Sequence, residues 1–292
     1  VIAKAGAGTT VADWVEQYDL QRALSPSGVR QYRYAAKSLD RWAGRAVGLQ
    51  ELDADLFNRW LRSLQEEGSR LAPATVACRR RHLLALWRAA ADESKADEPP
   101  RRLRPARVPW EPPRAWTCDE VRAILAVCEG LGRTRAGAFP RAEWWSLAVR
   151  IAWDTGLRLT DLLRIRAADI QPGGKIVLAQ CKTNRGVVCQ LAPSTMEALR
   201  QSLRAHPRRL ALPWASSRET FRRQFALIVR RAGVREGTWK WIRRSSATDV
   251  ELHCPGAGAA HLGHSHGSEI AMRHYLDQVI LQTTRPTPTP IE

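Results

Sequence analysis

Tyrosine is scarce in this chain: Tyr18, Tyr32 and Tyr34 fall near the start, and Tyr275 stands alone in the remainder. Long apolar runs are missing as well. None approaches the roughly 18 residues that a membrane helix needs, so no membrane partner is expected. The six cysteines (Cys78, Cys118, Cys128, Cys181, Cys189, Cys254) form no C-x-x-C pair, unlike a disulfide framework or a zinc ribbon, and most read as small core residues. The opening stretch VIAKAGAGTTVADW carries neither a basic n-region nor a long apolar h-region. It therefore does not read as a secretory signal, which favours a cytoplasmic location. No internal repeat is found.

What is present is a globular composition with a large basic excess. Apolar residues make up 44% and charged residues 26% of 292 residues, a length that fits two domains of roughly 150 residues each. The net charge is +17. Residues 1–98 hold 15 basic and 13 acidic side chains, residues 99–116 hold 5 and 1, and residues 117–292 hold 26 and 15. A field of that sign, concentrated in the C-terminal part, suits a polyanion, and double-stranded DNA is the commonest one such a protein meets.

Hydrophobic periodicity makes the first 98 residues a helical domain. In SPSGVRQYRYAAKSLDRWAG, Val29, Tyr32, Ala36, Leu39 and Ala43 step by three and four, one face of an amphipathic helix. ADLFNRWLRSLQEEG is a second helix with Gly68 as its stop. A third, APATVACRRRHLLALWRAAADE, turns Val76, Leu83, Leu84 and Trp87 inward. Arg79, Arg80 and Arg81 cannot all share that buried side, so at least two are expected at solvent or phosphate.

The stretch 99–116 holds six prolines and five arginines and reads as a stiff interdomain linker whose arginines face an anionic partner. A second domain over 117–292 begins with Thr117 as N-cap and Glu120 three residues on, a capping box. EWWSLAVRIAWDTGLRLTDLLRIRAADI reads as two helices meeting at Thr155-Gly156. KIVLAQ and GVVCQLA, joined by CKTNR, read as a β-hairpin with Lys182 near its turn. The fold class is mainly α with a small antiparallel β-sheet, either a hairpin or three strands. In the window 222–244, eight basic residues, including Arg222, Arg223, Arg230, Arg231 and Arg244, face one acid, with Phe225, Trp239 and Trp241 interleaved. That pattern reads as a phosphate-tracking surface.

Four segments of the second domain carry chemistry: Arg158 in TGLRLTDLL, Lys182 in KTNRG, Lys240 and Arg243 in WKWIRRSSATD, and His264 with Tyr275 in HLGHSHGSEIAMRHYLD. In order and context they resemble the tyrosine recombinase, or phage integrase, family over nearly the whole chain. The resemblance implies a helical core-binding domain that clamps DNA opposite a catalytic domain. It also implies a tetramer on paired sites and strand exchange through a 3′-phosphotyrosyl link at Tyr275, with neither metal nor nucleotide cofactor. The alternative is a protein of the same fold that binds DNA with weak or lost catalysis.

The chemistry gives the same residues work independently. A phenol with a reference pKa near 10 is ionised only about once in a thousand at pH 7, a deficit of roughly 4 kcal/mol that neighbouring cations must offset. Arg158 and Arg243 form the guanidinium clamp for the non-bridging oxygens. Lys182 is the general acid for the leaving 5′ oxygen. His264 hydrogen-bonds the phosphate or the tyrosine, and Asp161 orients the first arginine or its helix. Where the family usually has histidine, this chain has Lys240. It is either a proton-transfer group, with its pKa drawn down by burial and by Arg235, Arg243 and Arg244, or a third phosphate contact. In the latter case substrate or His264 takes the proton. His261, His264 and His266 with Cys254 offer four zinc ligands to a metal-dependent hydrolase, but H-x-x-H-x-H matches no common site.

Overall fold

A computed structural model describes residues 8–66, 71–132, 135–136, 139–264 and 269–281. The chain divides into two compact units between Trp110 and Glu111. The first holds α1 (Val11–Arg22), α2 (Pro26–Ala43), α3 (Ala54–Gln65) and α4 (Pro73–Asp92). Polar residues start three of them: Thr10, Ser25 and Asp53 each accept a hydrogen bond from the backbone N–H three residues on. The α2 stripe works as its spacing predicts, with Val29, Ala36 and Leu39 buried. They join Trp14, Phe57, Trp60 and Trp87 in one core.

The proline-rich stretch is shared between the units. Leu103 and Ala106 pack on the first core, and the Arg104 N–H donates to Asn58 Oδ1 at 2.8 Å. Ala115 and Trp116 are buried in the second unit. Gly68 lies outside the described residues.

The second unit contains α5 (Cys118–Glu129), the short pair β1 (Arg135–Ala136) and β2 (Phe139–Pro140), α6 (Arg141–Thr155) and α7 (Leu159–Leu162). It continues with β3 (Lys175–Ala179), β4 (Gly186–Gln190), α8 (Pro193–Ala205), α9 (Arg218–Arg231) and α10 (Lys240–His253), and ends on α11 (Gly258–His261) and α12 (Glu269–His274). Thr117 and Glu120 form the capping box that opens α5. The core is aromatic: Trp116, Trp144, Trp145, Phe221, Phe225 and Trp239 are all buried, with ring centroids 4.9 Å apart for Trp144–Trp145 and 5.0 Å for Trp145–Phe221. At 150–250 Å² buried per ring, this cluster supplies much of the unit's hydrophobic stabilisation.

Antiparallel pairing runs from Lys175↔Gln190 to Ala179↔Gly186, so the sheet carrying Lys182 is a hairpin. A third strand is reduced to one bridge, Ile170↔Ile176. One further expectation needs correcting. The window 222–244 is not one surface: α9 ends at Arg231, and Phe225 and Trp239 meet in the core at 4.9 Å. An aromatic every few residues among arginines is what an amphipathic helix needs for its inner face, and here the core claims it. None of Arg79, Arg80 and Arg81 is buried, as expected. Arg79 donates to Ser38 Oγ and Arg80 to the Arg104 carbonyl, which leaves Arg81 the exposed member.

Candidate active site

At the end of α6 the chain must turn sharply, and Gly156 does so with φ +57°. The turn delivers Arg158 to the start of α7, where its Nη1 donates to Gln180 Oε1 at 2.9 Å and lies 3.9 Å from Asp161 Oδ2. Asp161 is buried and its Oδ1 accepts the Cys181 N–H at 2.8 Å. One carboxylate thus orients the arginine and holds the base of the hairpin turn, so Arg158 and Lys182 share a support. Lys182 itself is exposed in that turn.

The first turn of α10 carries Lys240 and Arg243 on one face, three residues apart. Arg243 is 4% exposed. Its Nη2 donates to the Leu262 carbonyl at 2.9 Å and its Nη1 to the Gly156 carbonyl, tying the first arginine corner to the loop before His264. Burial, with Arg158 adding to it, brings this guanidinium down to about 10. Lys240 is an exposed residue whose ammonium is nonetheless partly desolvated. That desolvation and the charges of Arg244, Arg243 and Lys182 lower its pKa, against an opposing effect from Tyr275. Arg235 is not among these neighbours; it forms a bidentate pair with Glu120, both contacts at 2.9 Å.

Tyr275 closes the arrangement. The Arg243 Cζ lies 5.1 Å and the Lys240 Nζ 5.2 Å from its ring centroid, and the His264 ring is 5.4 Å away. Burial pushes the phenol up, but the fields of Arg243, Lys240 and Arg158 together outweigh it and the net shift is downward. Arg158, Lys182, Arg222, Lys240, Arg243 and Tyr275 line one cavity of about 790 Å³. His264 Nε2 is buried without a hydrogen-bond partner. Desolvation, then Arg243, Arg158, Lys182 and Arg185, lower its pKa and keep the ring neutral.

The remaining candidates separate. Arg222, Arg223, Arg230 and Arg231 are exposed on α9. Arg244 is half-buried and its donors point inward, Nε to the His274 carbonyl at 3.1 Å and Nη1 to the Arg114 carbonyl at 3.3 Å. Two of its five donors thus hold backbone. His261 is also structural: Ser246 Oγ gives its proton to the Trp153 carbonyl, so the 2.6 Å contact requires His261 Nε2–H to donate to Ser246. Burial lowers this imidazole to about 4. Among the described residues no three His, Cys, Asp or Glu side chains gather as a metal site would require, and His266 lies outside them.

Residues 115–278 match the phage integrase family. The chain belongs to that family. This integrase-family chain is also similar to solved structures. A lambda integrase (75–356) dimer bound to a COC′ core site shares 18% identity over 97% of this chain and all of that one, with a TM-score of 0.71. A lambda integrase tetramer bound to a Holliday junction shares 19% over 92% and 78%, TM-score 0.71. XerH recombinase in a post-cleavage complex with a palindromic difH substrate shares 16% over 93% and 83%, TM-score 0.69. At these identities the likeness is one of fold. No curated protein matches the chain in sequence.

Two supporting residues were not singled out from sequence. Gln180, 3% exposed, receives Arg158; its signal was position, two residues before Lys182 at the end of a strand. Asp277, also 3% exposed, lies two residues after the lone tyrosine in a run with few other acids.

Proposed function

We propose that the protein is a tyrosine-type site-specific recombinase that cleaves and rejoins duplex DNA through a 3′-phosphotyrosyl intermediate. The observation that carries this reading is the convergence of two guanidinium groups, two amines and one phenol on a single cavity. In water the phenol's ionisation deficit is roughly 4 kcal/mol. Here three cations lower it, and the same cations match the charge that grows on a phosphodiester under attack.

Tyr275 Oη attacks phosphorus, the P–Oη bond forms and the P–O5′ bond breaks. The phenol's proton passes to Lys240, whose neutral form its neighbours favour. The leaving 5′ oxygen takes a proton from Lys182 on the hairpin turn. Arg158 and Arg243 hold the non-bridging oxygens, and His264, whose ring lies 5.4 Å from that of Tyr275, hydrogen-bonds the phosphate or the tyrosine. Reversal of each transfer rejoins the strand, so the bond energy is retained in the protein–DNA link.

The exposed arginines of α9 and Arg81 contact the duplex backbone, fixing register without reading sequence. The lambda integrase structures, a dimer on a core site and a tetramer on a Holliday junction, support duplex DNA as partner and a tetramer as the working assembly. No helix among the described residues is long and apolar enough to cross a membrane, and we place the activity on cytoplasmic DNA. The test is a duplex selected from random DNA by the Tyr275→Phe protein and nicked beside the core as a suicide substrate. A covalent protein–DNA adduct formed in EDTA supports the reading; tight binding with no adduct points to a DNA-binding protein without catalysis.

A further inference from the structure

The residues around Tyr275 are held in a way that its catalytic role alone does not account for. On its N-terminal side α12 spans Glu269–His274, with Ala271 buried. On the other side Leu276 is buried with Ala247 and Leu262, and Asp277 follows at 3% exposure. The Asp277 carboxylate accepts three backbone N–H groups: Ala115 at 2.8 Å, Val279 at 3.0 Å and Ile280 at 3.3 Å. Its own N–H donates to Thr248 Oγ1 on α10 at 3.0 Å.

The partner stretch 114–116 is itself fastened to the helix that carries the cations. Trp116 N–H donates to Ser245 Oγ at 2.8 Å, and Arg244 bridges the Arg114 carbonyl and the His274 carbonyl. Residues on both sides of the phenol are therefore referenced to α10, the element that supplies Lys240 and Arg243.

We propose that Asp277 is a positioning residue for Tyr275: its carboxylate, bound by the Ala115 N–H, and its backbone N–H, bound to Thr248 Oγ1, set the phenol at attacking distance from the phosphate that α10 holds. The inference rests on Tyr275 being the nucleophile. A carboxylate suits the role because all its lone pairs accept, and here it serves three donors from two separate segments. Asparagine would keep one oxygen and turn an NH2 toward an N–H, so it supports the segment only in part.

Two nucleophiles on one phosphate clamp provide the test. Tyrosine cleavage is read as single-turnover adduct formation on the saturating suicide duplex. Clamp integrity is read in the Tyr275→Phe background as nicking by added hydrogen peroxide, which attacks the same phosphorus from solution. Asp277→Ala is expected to slow adduct formation about 30- to 300-fold, in the range that a displacement near 1 Å produces. Asp277→Asn should fall between it and the wild type. DNA affinity should stay within twofold, and peroxide nicking by Tyr275→Phe/Asp277→Ala should match that of Tyr275→Phe.

Adduct formation within threefold of wild type overturns the inference, as does peroxide nicking that falls in parallel, since that means Asp277 only maintains the fold. If Asp277→Ala does not fold, Thr248→Val carries the test, with a three- to tenfold slower adduct and unchanged peroxide nicking expected and wild-type rates overturning it. Failure of the parent reading looks different, because the wild-type protein then forms no adduct at all.

Discussion

Gly156→Ala probes the corner that joins the two arginines. At φ +57° any L-residue carries a left-handed penalty of about 1–2 kcal/mol. The new methyl also lands 2.8 Å from His261 Nε2 and 3.0 Å from its Cδ2, so the ring must withdraw by roughly 0.6 Å to reach ordinary contact near 3.4 Å. That shift stretches the 2.6 Å His261–Ser246 hydrogen bond to at most about 3.2 Å and displaces a packed ring, an overpacking cost of about 1–3 kcal/mol. The expected loss is about 2–5 kcal/mol by urea unfolding. Gly173→Ala is the control: its φ is +81°, nothing lies within 4 Å of its Cβ, and only the backbone penalty applies. Because the Gly156 carbonyl anchors Arg243, adduct formation should also fall, by about tenfold or more. Losses within about 0.5 kcal/mol of each other in the two variants would refute the packing argument.

The other expectations concern titration and charge. A base must be neutral to accept a proton, so the wild-type cleavage rate should rise with pH along a limb set by Lys240, below the ordinary lysine value. Lys240→His should move that limb down by about 4 pH units, the gap between the reference values; single-turnover rates at pH 5.5–9.5 check it, and an unmoved limb removes Lys240 as the base. His261, at about 4 in the folded state, is protonated first in the unfolded chain. Its contribution is therefore complete above pH 6.5 and is lost as pH falls toward 4, amounting to about 3 kcal/mol. Urea titrations of wild type and His261→Gln at pH 7.5 and 4.5 should show a smaller acid loss in the variant. Arg231→Gln should lower the slope of log K against log[salt] by about 1, whereas Arg244→Gln should lower it by less, since two of its five N–H donors are committed to the His274 and Arg114 carbonyls.

Local rules made much of the fold legible. The three-and-four step of Val29, Ala36 and Leu39, the Thr117–Glu120 box and the glycine corner before Arg158 each depend on neighbours within a turn or two, and each forms as its spacing requires. The candidate site was legible through the order of its segments, which brings Arg158, Lys182, Lys240, Arg243 and Tyr275 to one cavity. What stayed hidden depends on partners far along the chain. Arg244 reads as one more cation in a basic run, yet a carbonyl 130 residues away claims one of its donors. Phe225 and Trp239 read as interleaved with phosphate contacts until Trp145 and Phe221 gather them into the core. Asp277 is an ordinary acid in sequence, and only the arrival of Ala115 makes it a hub.

The most direct measurement is covalent capture of a nicked suicide duplex by the wild-type and Tyr275→Phe proteins, with peptide mapping of the attached nucleotide. The account predicts an adduct in EDTA that maps to Tyr275 and vanishes in the phenylalanine variant while DNA binding persists. An adduct that survives the substitution, or cleavage that leaves free ends and stops on chelation, contradicts it.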